Sequence, residues 1–257
     1  MSHVLAGPPG DCCRLTVQHV GEKRGTIETV AGVKTYVSRP KDGSNKRIIL
    51  FFGDVHGPIY INSQLIMDYW ADNDYFEDDS MTKHPDRQAP GFDYQEWLVR
   101  KQARAPELIG PWIEAIRKDY GGSESKYVCV GYCFGAPYVC EYLTKDWILA
   151  GEAELRSRSY AVVEPSRPPL GAFGHPAFLN EAHIQNVKKT DHTFPLEARR
   201  KAEDILVANK ATYFIQVFGS VQHGFALRAD PSIPVQKWAR EESARSILNW
   251  FNHFCDL

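Results

Sequence analysis

Residues Lys126-Tyr127-Val128-Cys129-Val130-Gly131-Tyr132-Cys133-Phe134-Gly135 join a buried strand to a G-x-C-x-G turn, and an apolar helix is expected from Ala136 to Leu149. With serine at its centre this turn is the nucleophile elbow, a strained bend that lifts one side chain clear of a sheet. Its glycines let the chain turn sharply and keep the incoming helix close. Here the lifted residue is Cys133, which points to thiolate chemistry if a histidine and an acid follow in the right order. A lone cysteine on such a turn is otherwise inert core, so its partners decide the matter.

The rest of the chain alternates strand and helix signals. Arg14 to Val20 reads as a strand, and Thr26 to Val30 with Val33 to Val37 reads as a hairpin turned by Ala31-Gly32. Pro40 to Lys46 is a polar break. Arg47 to Phe52 is a continuous apolar run of the kind found in buried parallel strands. It leads into Gly53-Asp54-Val55-His56-Gly57-Pro58 and a helix for which Asn62 is the expected cap, with Leu65, Ile66, Tyr69 and Trp70 on one face. Lys83 to Gly91 is a loop. Asp93 and Glu96 form a capping-box pattern at the start of a second helix, which Pro106 is expected to restart.

Glu152 to Pro169 is polar, basic and proline-rich, and reads as a surface excursion inserted into the domain. Leu170 to Gly174 is a short strand candidate, Leu196 to Ala208 an amphipathic helix, Ala211 to Phe218 a strong strand and Pro234 to Phe251 a closing helix. This alternation predicts a mostly parallel α/β sheet flanked by helices, in a single domain spanning residues 1–257.

Composition narrows the function. A net charge of -2 gives no reason to expect a nucleic-acid or anionic-membrane partner. No run approaches the roughly 18 apolar residues of a membrane span, and Met1 to Gly7 lacks the features of a signal peptide. Cys12, Cys13, Cys129, Cys133, Cys140 and Cys255 show neither metal-site spacing nor a disulfide framework, so a reduced, cytoplasmic protein is expected. No cofactor or metal is implied, and the oligomeric state is not readable.

Cys133 needs a base, and His223 follows directly on the strand ending at Phe218, where parallel α/β sheets gather their functional groups. The acid should lie between them, and Asp191 in Thr190-Asp191-His192-Thr193-Phe194-Pro195 fits the order nucleophile, acid, histidine. In this reading His223 takes the thiol proton and Asp191 orients the imidazole. The backbone N–H of Phe134 and that of Val55 would form the oxyanion hole. His175 and His192 read as structural, and His56 is left open.

Together these segments resemble the dienelactone hydrolase family, in particular its fungal type. The resemblance is carried by Gly131-Tyr132-Cys133-Phe134-Gly135, Gly171-Ala172-Phe173-Gly174-His175-Pro176, Thr190 to Phe194 and His223-Gly224-Phe225-Ala226-Leu227-Arg228. Cys12-Cys13 and Gly32 to Val37 are similar as well. The resemblance implies an α/β-hydrolase fold and a metal-free Cys-His-Asp triad that opens a small-molecule lactone or ester, here Cys133, His223 and Asp191. It also implies an acidic residue near the resting thiol, a place held by Asp54. Arg87 and Arg228 are its counterparts for two substrate-binding arginines, the plain alternative for each being a solvated surface side chain.

Two strands that the family pattern expects are missing from this sequence. Ala71-Asp72-Asn73 runs straight into Asp74-Tyr75-Phe76, and Val187-Lys188-Lys189 straight into Thr190-Asp191. A sheet lacking two inner strands would strand buried backbone groups. The expectation is therefore either local re-registration or an altered splice product. A rival to the enzyme is a relative that cannot align its acid and binds a small molecule or partner instead.

Overall fold

The computed structural model describes residues 16–74, 76–80, 91–154, 171–176 and 196–257. Strands β1 (Thr26–Val30) and β2 (Val33–Ser38) form the expected hairpin in register Val30↔Val33. Ala31 and Gly32 both take positive φ, 47° and 79°, the backbone of a tight hairpin turn whose twist matches the strands it joins. β3 (Arg47–Phe52) and β5 (Lys126–Tyr132) pair in parallel from Arg47↔Lys126 to Phe52↔Gly131.

Among the described residues the sheet has no break between neighbouring strands, which corrects the expectation of a missing strand after Ala71-Asp72-Asn73. Its eight strands among the described residues run in the order β1-β2-β4-β3-β5-β6-β7-β8. β4 (Phe76–Ser80) fills the first gap, antiparallel to β2 and parallel to β3. Its sequence, Phe-Glu-Asp-Asp-Ser, has no strand signature, so position between two partners fixes it rather than composition. The second place, between Val187-Lys188-Lys189 and Thr190-Asp191, lies outside the described residues. β6 (Ile148–Glu154) pairs with β5, and β7 (Gly171–Pro176) lies between β6 and β8 (Tyr213–Phe218), matching β8 from Gly171↔Tyr213 to Pro176↔Phe218. Glu152 to Glu154 therefore belong to a strand, and the remaining positions of the expected excursion, 155–169, lie outside the described residues.

Alternation along the strands divides the core in two. Ile48, Leu50 and Phe52 face helices α2 (Tyr94–Asp119) and α3 (Ala136–Tyr142), where Trp112, Ile113, Ile116 and Val139 meet them. Ile49, Phe51, Val128 and Val130 face α1 (Ile61–Ala71) and α6 (Pro234–Cys255), against Met67, Trp70, Leu248 and Phe251. Helix α4 spans Leu196–Ala208, and the short α5 spans Phe225–Arg228.

Four local expectations change. α2 continues through Pro106 and Pro111 as one helix, although its start is capped as expected by Asp93, which accepts from the Glu96 amide at 2.9 Å. α3 stops at Tyr142, because the apolar run from Ile148 is drawn into the sheet. The described part of the segment from Arg14 to Val20 joins no strand. Asn62 lies inside α1 rather than capping it, and its amide bonds to Val17 and Leu227 carbonyls instead.

Candidate active site

The elbow is built as its sequence demands. Cys133 follows the last residue of β5 with φ at 53°, a left-handed conformation that is strained for a side chain of this type. Gly131 and Gly135 make the turn possible by close approach. A Cβ on Gly131 would lie 2.7 Å from Val139 Cγ2, and one on Gly135 would overlap the carbonyl oxygen of Phe52 on the neighbouring strand. Cys133 is only 1% exposed and packs in the same apolar cluster as Phe52, Val55 and Phe134. The Gly135 amide is used within the turn, donating to Tyr132 O at 2.9 Å.

The loop after β3 lies beside the elbow and is held by Asp54. Its carboxylate accepts from the His56 amide at 2.7 Å, and its carbonyl accepts from Gly57 N at 3.0 Å. Val55 and His56 are both buried, and the His56 ring rests 5.1 Å from that of Tyr60. Asp54 also forms a buried ion pair with Arg228 Nη1. Burial pushes the Asp54 carboxyl up, but the charges of Arg228 and His56 and their hydrogen bonds outweigh it and hold the group at about 2.

His223 occupies the loop after β8 and is 5% exposed. Its carbonyl accepts from Arg228 Nη2 at 3.3 Å. Arg228 thus joins the loop after β8 to the loop after β3. Because β5 pairs directly with β3 and lies on the β8 side of it, this tie crosses the sheet edge at which Cys133 emerges. The expectation of a solvated Arg228 is overturned: it is 7% exposed and its charge is already met by Asp54. Asp191, Arg87 and His192 lie outside the described residues, as does the side chain of His175.

A cavity of about 140 Å³ adjoins the elbow, walled by Phe52, Gly53, Phe134, Gly135 and Tyr138 and by one face of α2. That face, Lys101, Arg104, Ala105 and Leu108, repeats at helical spacing, a pattern legible in the sequence but not singled out there.

A sequence model described as the dienelactone hydrolase family matches residues 33–255. The chain belongs to the dienelactone hydrolase family. It is 33% identical over 267 residues to a protein named dienlactone hydrolase 2 of Gibberella moniliformis, covering 100% of this chain and 99% of that one. Dienlactone hydrolase 1 of the same fungus is 32% identical over 268 residues, covering 97% and 95%. Among solved structures, the fold is similar to that of a dienelactone hydrolase from Anabaena variabilis, with a TM-score of 0.60 at 9% identity over 91% of this chain and 99% of that one. A dienelactone hydrolase-like promiscuous phosphotriesterase from metagenomic libraries is similar too, at TM-score 0.63 and 15% identity over 91% and 98%.

Proposed function

We propose that this member of the dienelactone hydrolase family cleaves a small lactone or ester through Cys133, His223 and Asp191, by way of a thioester acyl-enzyme. The observation that carries the reading is the left-handed turn at Cys133, wedged between glycines against the end of β3. Strain at a buried thiol is costly, and an inert core cysteine would have no use for it.

In this mechanism His223 takes the Cys133 proton, and the thiolate sulfur attacks the carbonyl carbon. The carbonyl oxygen becomes an oxyanion, received by the amides of Phe134 and Val55. Collapse breaks the bond to the ester oxygen, which leaves with the proton from His223; in a lactone it stays attached and the ring opens. Water, deprotonated by His223, then attacks the thioester, and the carboxylic acid and the thiol are regenerated. Asp191 holds the imidazole in the required tautomer. Asp54, with Arg228, shapes the loop that carries Val55, and Arg87 is a candidate substrate contact. A reducing cytoplasm suits such a thiol, and Cys129, Cys133, Cys140 and Cys255 are thiols rather than disulfide partners.

Hydrolysis of an aryl acetate and of a simple unsaturated lactone by wild type and Cys133→Ala tests the reading. Turnover by wild type that falls at least about a thousandfold in the variant supports it. Equal rates in both would remove Cys133 from the chemistry.

A further inference from the structure

Long-range hydrogen bonds converge on the short stretch of backbone that carries Arg228. From α1, Asn62 Nδ2 donates to the Leu227 carbonyl at 2.8 Å and to the Val17 carbonyl at 2.9 Å, while its Oδ1 accepts from the His19 amide at 2.9 Å. His19 Nε2 lies 2.8 Å from the Ala229 carbonyl. Arg240 Nη1, on α6, approaches His19 Nδ1 at 2.7 Å, against 3.3 Å to Nε2. A carbonyl only accepts, so Nε2 carries the proton given to Ala229, and Nδ1 is the unprotonated nitrogen against which Arg240 lies. The two carbonyls held in this way flank Arg228 on either side, and Arg228 in turn reaches Asp54 and the carbonyl of His223.

We infer that His19 and Asn62 are positioning residues: they latch the segment around Val17 to His19 onto the Leu227 to Ala229 backbone and so fix Arg228 and His223 for the hydrolysis proposed above, on which this inference rests. The latch requires a neutral imidazole. A protonated His19 would set an imidazolium against the Arg240 guanidinium, with Nδ1 and Nη1 2.7 Å apart. The charged groups around it are Arg240 from α6 and Asp230 from the turn after α5, with Glu241 and Arg245 lining the same groove; the nearby side chain from α1, Asn62, is neutral. Burial lowers the proton affinity of His19. The Ala229 carbonyl and Asp230 oppose this and Arg240 adds to it, and the net shift is downward from 6.5. The unfolded chain therefore takes up this proton before the folded one does, and the latch loses stability as pH falls below 6.5.

The test compares the full chain with His19→Ala and His19→Gln, measuring aryl-ester kinetics against pH and amide hydrogen exchange over Phe225 to Ala229. In His19→Ala the Arg228 and Ala229 amides, bonded to Gly224 and Phe225 carbonyls, should exchange faster, and kcat/KM should fall about tenfold or more, chiefly in kcat. In His19→Gln the amide N–H can serve Ala229 and its oxygen can accept from Arg240, so activity at neutral pH is restored to within about threefold. On the acid side, log kcat/KM should steepen to a two-proton slope in wild type and a one-proton slope in His19→Gln. His19→Ala with wild-type exchange, or with faster exchange and unaltered kcat/KM, overturns the inference. If His19→Ala does not fold, a two-proton slope retained by His19→Gln does the same. Failure of the hydrolysis reading itself is recognised separately, by undiminished turnover in Cys133→Ala, and leaves the exchange comparison intact.

Discussion

The guanidinium of Arg228 is ion-paired with Asp54, 174 positions earlier in the chain, and the two side chains are only 3% and 2% exposed. Removing one partner leaves the other charged and buried, which costs far more than the pair contributes over an apolar replacement. Asp54→Leu and Arg228→Met should each lower unfolding free energy by about 3–5 kcal/mol in urea titrations. The double variant should recover much of that loss. Additive losses in the double variant would show that the pair does not act as a unit.

The same pair sets an acid limit on the fold. The folded Asp54 carboxyl lies at about 2, below its ordinary 3.8, so the unfolded chain binds a proton that the folded one does not. Its contribution is whole above pH 3.8 and is lost as pH falls toward 2. Urea midpoints between pH 5 and about 3 should decline less steeply in Asp54→Asn than in wild type.

Asp68 anchors the entry to the sheet. Its carboxylate accepts from the Tyr36 hydroxyl at 2.9 Å, from Ser38 Oγ at 2.5 Å and from the Arg24 amide at 2.8 Å, tying α1 to β2 and to the chain before β1. Asp68→Ala should cost about 3 kcal/mol, because the buried Tyr36 and Ser38 hydroxyls and the Arg24 amide lose their acceptor together. Asp68→Asn, which keeps one acceptor oxygen, should cost less. Thermal melts of the two variants provide the comparison.

Gly135 is the tightest point of the elbow. Gly135→Ala drives a methyl group into the Phe52 carbonyl, part of the backbone of an inner strand that cannot yield as a side chain can. A loss of at least about 2 kcal/mol is expected, with poor soluble yield at 37 °C. Unaltered melting would show that β3 and the elbow are less closely packed than this.

What the sequence revealed follows from where its signals are local. The elbow, the β1–β2 hairpin and β8 were legible because glycine spacing, turn residues and apolar runs specify them within a few positions. β4 was not, since Glu77, Asp78 and Asp79 carry no strand preference and only the vacancy between β2 and β3 recruits them. β7 was seen as a strand but not as the neighbour of β8, a matter of long-range pairing that periodicity does not encode. Cys133 and His223 are proposed from order and motif. The engagement of Arg228 by Asp54, and of Asn62 by the segment around His19, depends on folded geometry that no spacing announces.

The central claim is that Cys133 carries the acyl group during turnover. Wild type mixed with an activated aryl ester, quenched in acid within milliseconds and digested, should yield a Cys133 peptide heavier by one acyl group, cleaved by hydroxylamine as a thioester is. The adduct should be absent from Cys133→Ala. Steady turnover with unmodified Cys133, or an adduct formed equally well in Cys133→Ala, would contradict the account.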